Sequence, residues 1–292
     1  MTRNLRAAPV TGPAATHGEG PVWHPSFAGV RWVDMLAGDM LELPPDGTTV
    51  RRHVADVAAA FRPRRDGGLV LATERGFALL DVDGHLQRDL GPLWQDPDVR
   101  MNDGGCDPSG AFWCGSMAYD ERPGAGTLYR LGTDLVARPA LRGVTISNGF
   151  AFCPDGTRVY YVDTPTGRVD VFDHDSAAGA DGLHRRRPVI EIPPSAGAPD
   201  GITVDQDGGI WVALWGGGAV RRYRPDGMLD AVVELPVSQV TACTFGGPDL
   251  GTLYVTTSMQ GPAGADRPPA GALFAVRPGT RGLPVAEFAG RP

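Results

Sequence analysis

The sequence has no run of about 18 apolar residues that could cross a bilayer, and residues 1–5 lack the apolar stretch of a signal peptide. It is also short of basic residues, because 27 Lys and Arg stand against 34 Asp and Glu, which gives a net charge of −7. Nucleic-acid recognition requires a basic face that neutralises phosphates, so this charge argues against such a partner. We therefore expect a soluble, cytoplasmic protein with no membrane or nucleic-acid partner.

Cysteine is scarce and helical periodicity is nearly absent. The four cysteines, Cys106, Cys114, Cys153 and Cys243, show no CxxC spacing, so we expect buried free thiols rather than disulfides or a zinc site. Short β-rich segments bounded by Asp-Gly or Pro-Gly turns recur along the chain instead, and 41 Gly and 27 Pro suit a chain that turns often. The pattern predicts an all-β fold.

One unit recurs six times along the chain. Its often aromatic strand is found at residues 30–34, 68–72, 111–115, 158–162, 209–213 and 251–255. A period of roughly 40 to 50 residues predicts a six-bladed β-propeller with four-stranded blades around a central channel, as a single domain over residues 1–292. A blade cannot bury both faces alone, so the ring must close. We expect the segment near Val10 to add a strand to the last blade.

Four of the six units carry an oxygen-bearing side chain followed by Gly at the start of the innermost strand. These side chains are Glu19, Asp103, Asn148 and Asp200. Innermost strands line the channel, so the four side chains converge on one mouth. Crowded carboxylates are costly in a partly dry site unless a cation lies among them. Oxygen ligands favour Ca²⁺, Mg²⁺ or Mn²⁺, with Zn²⁺ also possible, and such a cation would polarise an ester carbonyl and activate water.

Asp-Gly is also a common hairpin turn, so each of these positions has a purely structural alternative. Asp46, Asp155 and Asp226 occur in Pro-Asp-Gly segments between a strand and the next outer strand, where a turn is required. We interpret these three as structural. Asp200 alone would be read in the same way, but four such residues at one phase of the repeat favour a site.

The segments around these residues resemble motifs of the gluconolactonase and regucalcin family, which includes the senescence-marker protein and the luciferin-regenerating enzyme. The matching segments are residues 18–23, 100–104, 147–149 and 199–202, followed in support by 115–117, 208–213 and 241–247. The resemblance covers nearly the whole chain. It implies a six-bladed propeller that hydrolyses a small sugar-type lactone with one divalent ion, with Ca²⁺ expected and Zn²⁺, Mg²⁺ or Mn²⁺ as alternatives.

The resemblance also implies roles for individual residues. Glu19, Asn148 and Asp200 correspond to the metal ligands, and we expect Asp200 to act as the general base as well. Arg100 and Asn102 correspond to substrate contacts.

Two acidic residues complete the predicted site. We expect Asp103 to contribute to substrate binding, and the resemblance implies that it lies close to the metal, directly or through a water molecule. Asp120 occupies the segment after Met117, where many family members have Glu, so we expect it near the substrate and the sugar preference to differ.

Other site chemistries have weaker support. His17 and His24 lie close to Glu19 in the sequence, but neither has a recognisable partner for histidine catalysis. No GxSxG segment occurs, so we interpret Ser147 as structural rather than nucleophilic. Trp215, together with Met117 and Tyr119, is expected at the edge of the pocket.

Two other functions remain open at this stage. Propellers also serve as binding platforms, so a calcium-binding or regulatory protein is an alternative to an enzyme, and only the enzyme would need Arg100 and Asn102 beside the metal. A hydrolase for a non-sugar lactone or ester in secondary metabolism is the other. We expect a monomer or a weak homo-oligomer.

Overall fold

The computed structural model describes residues 2–261 and 269–291, and its regular structure is almost entirely β-strand. Six antiparallel sheets form blades, and the first strand of each blade lies innermost. Each innermost strand contacts the innermost strands of both neighbouring blades, so the ring is continuous. The predicted six-bladed propeller is thereby confirmed, while the single-domain organisation stays a prediction. Over the described ranges no helix is long and apolar enough to cross a membrane.

The blades follow one another in chain order. Blades 1 to 3 comprise β3 (Gly18–Trp23), β4 (Val30–Asp34), β5 (Asp39–Leu43) and β6 (Val50–His53); β7 (Ala60–Pro63), β8 (Leu69–Ala72), β9 (Gly76–Leu80) and β10 (Leu86–Pro92); and β11 (Val99–Cys106), β12 (Phe112–Ala118), β13 (Gly126–Leu131) and β14 (Ala137–Val144). Blades 4 to 6 comprise β15 (Ser147–Phe152), β16 (Arg158–Asp163), β17 (Arg168–His174) and β18 (Leu183–Glu191); β19 (Ala198–Val204), β20 (Ile210–Trp215), β21 (Ala219–Tyr223) and β22 (Leu229–Glu234); and β23 (Val240–Gly246), β24 (Thr252–Thr257) and β25 (Phe274–Val276). Four short 3₁₀ turns lie at Met35–Ala37, Thr164–Thr166, Ser176–Asp181 and Pro194–Ala196.

The N-terminal segment closes the ring at two neighbouring blades. Strand β1 (Arg3–Arg6) pairs in parallel with β22 at the outer edge of blade 5. Strand β2 (Ala8–Pro9) pairs antiparallel with β25 and supplies the fourth strand of blade 6. The N–H of Val10 continues this pairing by donating to Leu273 O at 2.8 Å. The expected closure near Val10 is therefore confirmed.

Buried tryptophans on the second strands of blades 3 and 5 anchor the core between blades. Trp113 and Trp211 are fully buried, and each indole Nε1 donates to a buried carboxylate, Asp107 or Asp205, at 2.9 and 2.8 Å. This satisfies the only polar atom of each ring. These tryptophans are therefore packing residues. All four cysteines are buried and unpaired, which confirms free thiols.

The three Pro-Asp-Gly segments form turns. In each of them an Asp Oδ1 accepts the N–H of the residue two positions later at 3.0 Å. Asp46, Asp155 and Asp226 therefore stabilise hairpins, as predicted from the sequence.

The innermost strands share a second feature, a break in register close to the predicted site residues. The register with the neighbouring strand shifts between Glu19 and Val22, Met101 and Gly104, Ser147 and Phe150, Pro199 and Ile202, and Val240 and Ala242. A bulge bends a strand and re-aims a side chain, and bulges are frequent beside active sites. Strand β7 of blade 2 pairs without such a shift. Blade 2 is one of the two blades without an oxygen-bearing side chain followed by Gly at the start of the innermost strand.

Glycine follows the site residue at these bulges because adjacent innermost strands approach closely. A Cβ added to Gly149 would lie 2.7 Å from Asp200 O, and one added to Gly201 would lie 2.6 Å from the Cβ of Ala242. Side chains larger than hydrogen therefore have no room there.

The C-terminal segment crosses the opposite mouth of the channel. Arg281 O accepts from Gln206 N at 2.9 Å, and at the far end Phe288 N donates to Pro63 O at 2.8 Å. Residues 283–286 cover a cavity of about 340 Å³ at this mouth. Access to the channel is therefore more open at the mouth that carries the bulges.

Candidate active site

The bulges place the predicted ligands at one end of the channel. Glu19 on β3, Asp103 on β11, Asn148 on β15 and Asp200 on β19 are all buried. Glu19, Asn148 and Asp200 line a common cavity of about 670 Å³. Asp103 does not line this cavity, and its carboxylate is influenced by Arg62, which lines the opposite mouth. The structure therefore brings three of the four side chains to the cavity wall and sets the fourth deeper.

Two oxygen atoms of this group have no hydrogen-bond partner within residues 2–261 and 269–291. They are Asn148 Oδ1 and Asp200 Oδ1, both buried. The Asn148 amide nitrogen donates to Thr164 Oγ1 at 3.1 Å, which turns its oxygen away from that contact. Buried polar atoms normally have a partner, so two such oxygens in one cavity indicate a missing donor or cation. An oxygen-only donor set of this kind fits a hard divalent cation.

The electrostatics of the three carboxylates support this fit. Burial raises the pKa of Glu19 well above its ordinary range, and the Asp200 and Asp103 carboxylates raise it further. Burial also raises the pKa of Asp200 well above its ordinary range, Asp103 adds to the shift, and the Asn148 amide opposes it. The pKa of Asp103 is raised by burial, against the opposing charge of Arg62. A cation among these groups would relieve this repulsion.

Arg100 and Asn102 form a fixed pair on the cavity wall. Both are buried and line the cavity. Arg100 Nη1 donates to Asn102 Oδ1 at 2.7 Å and to Met101 O at 3.0 Å, while Asn102 Nδ2 donates to Ser147 O at 3.0 Å. A guanidinium has five donors, and Arg100 Nε has no partner within the described ranges. The pair therefore keeps donors available for a ligand.

Histidine 17 also lines the cavity, although the sequence offered no partner for it. Its Nδ1 lies 2.9 Å from Ser258 Oγ, and its ring meets Trp215 edge-to-face at a centroid distance of 6.0 Å. Burial and the Arg100 charge lower the pKa of His17 to about 4. The imidazole is therefore neutral at physiological pH.

Ser147 does not resemble a nucleophile. It is fully buried, its Oγ accepts from Tyr161 OH at 2.8 Å, and its carbonyl accepts from Asn102. Ser147 therefore stabilises the cavity wall through its hydrogen bond with Asn102.

The segment after Met117 is arranged differently from the expectation. The structure does not bring Asp120 to the cavity: its side chain is 63% exposed, and its Oδ1 accepts from Arg122 Nη1 at 3.1 Å. Glu121 lines the cavity instead, and its positive φ of 57° shows that the chain turns sharply at this point. A tight turn sends successive side chains in different directions. Tyr119 does not line the cavity, but its ring centroid lies 5.6 Å from the guanidinium of Arg100 at the cavity edge, and its hydroxyl donates to Glu74 at 2.8 Å.

Met117 and Trp215 line the cavity. The cavity is also lined by four residues that were not predicted to belong to it: His17, Glu121, Thr164 and Gln260. His17 and Ser258 lie 241 residues apart, so no local pattern could connect them. Glu121 could have been considered from the sequence, because it is an acidic residue directly after the predicted Asp120.

In the described part of the chain, one further cluster of metal-ligating residue types lies away from the cavity. Asp81, Asp83 and His85 place their ligand atoms within 4.8 Å of one another on the turn between β9 and β10. The N–H groups of Asp83 and His85 both donate to Asp81 Oδ1, so the turn itself accounts for the cluster.

Comparison with known proteins places this architecture in a family. The model of the SMP-30/Gluconolactonase/LRE-like region matches residues 17–259. The chain belongs to this family.

Individual relatives match over almost their entire length. Pentonolactonase XacC of Haloferax volcanii is 37% identical over 275 residues, which cover 91% of this chain and 92% of the relative. The 6-deoxy-6-sulfogluconolactonase of Pseudomonas putida is 35% identical over 281 residues, covering 94% and 95%. Among solved structures, the calcium-binding protein regucalcin from Agrobacterium tumefaciens is similar with a TM-score of 0.90 and 29% identity, covering 99% of both chains.

Proposed function

We propose that this protein hydrolyses small sugar-type lactones with one divalent cation held by Glu19, Asn148 and Asp200. The observation that carries the proposal is a pair of buried oxygens, Asn148 Oδ1 and Asp200 Oδ1, which have no hydrogen-bond partner among the described residues and share one cavity with Arg100 and Asn102. The relatives named as a pentonolactonase and a 6-deoxy-6-sulfogluconolactonase support the substrate class. The relative described as calcium-binding favours Ca²⁺, with Zn²⁺, Mg²⁺ and Mn²⁺ as alternatives.

In this proposal the protein's own groups bind the lactone and move protons. Arg100 and Asn102 hold the lactone hydroxyls, and their mutual hydrogen bond fixes the geometry before the ligand arrives. A cation bound at the site supplies charge stabilisation for the carbonyl oxygen and lowers the pKa of water. Asp200 accepts the proton from the attacking water as general base. The water oxygen bonds to the carbonyl carbon, the ring C–O bond breaks, and the departing ring oxygen takes up the proton from Asp200 to give the hydroxy acid.

The proposed roles of the other acidic groups follow from their positions. Asp103, set deeper, stays close to the cation through a water molecule and balances the charge of Arg62. Glu121 rather than Asp120 faces the bound ligand from blade 3.

A calcium-binding protein without catalytic function is the second candidate, favoured by the similarity to regucalcin. The same ligands would serve it, so the metal site does not separate the two functions. The Arg100 and Asn102 pair does, because a binding protein has no need for donors held beside the ligands.

A non-sugar lactone as substrate also has one supporting observation. Part of the cavity wall is apolar, formed by Ile146, Ile192, Pro194 and Trp215. This surface would accommodate an apolar substituent on the lactone.

The deciding experiment measures acid release from glucono-, galactono-, xylono- and arabinono-lactones near neutral pH. Each is assayed with added Ca²⁺, Mg²⁺, Mn²⁺ or Zn²⁺ and with chelator, beside Glu19→Gln, Asp200→Asn and the control Asp46→Asn on an exposed turn. Cation-dependent turnover that is lost in the first two variants and kept in the control supports the proposal. Cation binding without turnover above the spontaneous rate on any lactone supports the binding protein instead.

A further inference from the structure

His17 is held rigidly at the edge of the cavity. Its backbone N–H donates to Asp34 Oδ1 at 2.9 Å, and its backbone forms an isolated antiparallel bridge with Ser258. Its side chain is fixed by the Ser258 hydroxyl on one side and by Trp215 on another. Only 7% of the residue is exposed, and the exposed part belongs to the cavity lining. A single ring orientation therefore faces the bound ligand.

Ser258 engages one of the two ring nitrogens of His17. Its Oγ lies 2.9 Å from His17 Nδ1, accepts the N–H of Gln260 at 3.0 Å and lies 3.3 Å from Thr16 O. With Nδ1 engaged, Nε2 is the ring nitrogen that remains for a ligand. A hydroxyl can both donate and accept, so it pairs with Nε2 in either tautomer.

From this arrangement we infer that His17 is a specificity-determining residue whose Nε2 forms a hydrogen bond with a ligand hydroxyl, and that Ser258 is the positioning residue that holds its ring. Arg100 lies on the same wall, and its guanidinium can donate to other oxygen atoms of the same ligand. This inference rests on the proposed lactonase function and adds the preference it predicts: lactones that carry ring hydroxyls over lactones that lack them.

The ring contact is tested first, independently of activity. Nitrogen-15 spectra of the histidine rings are recorded on the full chain with Ca²⁺ at neutral pH, with and without xylonate, the hydrolysis product of xylono-1,4-lactone. The His17→Leu variant identifies the His17 signals. We expect xylonate to shift the Nε2 signal of the wild type, and to shift it less in Ser258→Ala, in which the ring has lost its contact at Nδ1. A wild-type Nε2 signal that saturating xylonate leaves unchanged would overturn the inference.

The preference is tested by comparing xylono-1,4-lactone with γ-butyrolactone, which has the same reactive ring without hydroxyls. In His17→Leu we expect kcat/KM for xylono-1,4-lactone to fall about tenfold, as expected for one lost hydrogen bond, while the value for γ-butyrolactone changes little. His184→Leu, on the exposed outer strand β18, is the matched control and should leave both values unchanged. An equal loss on both lactones in His17→Leu would show a merely structural role and refute the inference.

The proposed function and the role of His17 can be refuted separately. Wild-type protein that turns over neither these two lactones nor the four aldonolactones refutes the proposed function and, with it, the preference assigned to His17. Wild-type turnover with an unchanged lactone ratio in His17→Leu leaves the function standing and refutes the role of His17 alone.

Discussion

Replacing Asp200 by Asn should stabilise the metal-free protein and weaken its response to a cation. Asp200 is buried beside Asp103, and its Oδ1 has no partner within residues 2–261 and 269–291. Asn has almost the same shape but no charge to bury. Relieving a strained functional site of this kind typically raises the free energy of unfolding by about 0.5–2 kcal/mol. In a chain of this size, each kcal/mol of added stability raises the melting temperature by about 2 °C, so we expect a rise of about 1–4 °C.

The sign of the pH dependence follows from the raised pKa of Asp200. The folded protein retains this proton to a higher pH than the unfolded chain, whose Asp titrates near about 3.9. The stability associated with this group is therefore fully present below about pH 4 and is lost as the pH rises through the raised pKa of the folded state. The advantage of Asp200→Asn should accordingly be absent near pH 4 and grow toward pH 7.5.

Thermal melts with chelator and with Ca²⁺ test both parts. Calcium at one hundred times its dissociation constant should stabilise the wild type by about 2.7 kcal/mol, or about 5 °C, and stabilise the variant by less than half of that. Asp46→Asn is the matched control, because it makes the same change on an exposed turn and keeps an acceptor for Thr48 N. A metal-free Asp200→Asn protein that melts below the wild type at pH 7.5, or a wild type that no divalent cation stabilises, would refute the reasoning.

Three further outcomes follow from the fold. Gly201→Ala should lower the free energy of unfolding by about 1–3 kcal/mol in a urea titration, because the new methyl would meet Ala242; an unchanged midpoint would contradict the close approach. Asp205→Ala should cost about 3–5 kcal/mol in the same assay, since it removes the acceptor of Trp211 Nε1 and Gly209 N and one of the two carboxylates that pair with Arg222; a loss below 1 kcal/mol would contradict this. Ellman's reagent should modify none of the four cysteines in the folded protein at pH 8 and all four in denaturant, because they are buried; rapid modification of the folded protein would contradict the packing.

The repeat made the fold readable from the sequence. Each blade presents its strands and turns at nearly the same spacing, so turns such as those at Asp46 and Asp155 could be distinguished from the site by their phase alone. The three proposed ligands that line the cavity were found in the same way, because each begins an innermost strand. Local pattern and global geometry agree at these positions.

The remaining cavity residues lie where this periodicity ends. Glu121 and Gln260 belong to connections between strands, whose conformation depends on local turn geometry rather than on the repeat. At the turn after Met117 the prediction was wrong by one residue: Glu121 lines the cavity, and Asp120 does not. The pairing of His17 with Ser258 depends on ring closure, so it becomes visible only once blades 1 and 6 are neighbours.

The double attachment of the N-terminal segment bears on how the chain folds. Strands β1 and β2 find their partners late, because they pair with β22 and β25, which lie more than 200 residues further along the chain. Contacts of such sequence separation form slowly. Until β2 has paired with β25, blade 6 lacks its outer strand and the ring is not closed. The assembly of the candidate active site is therefore expected to be a late event of folding, coupled to the docking of β1 and β2.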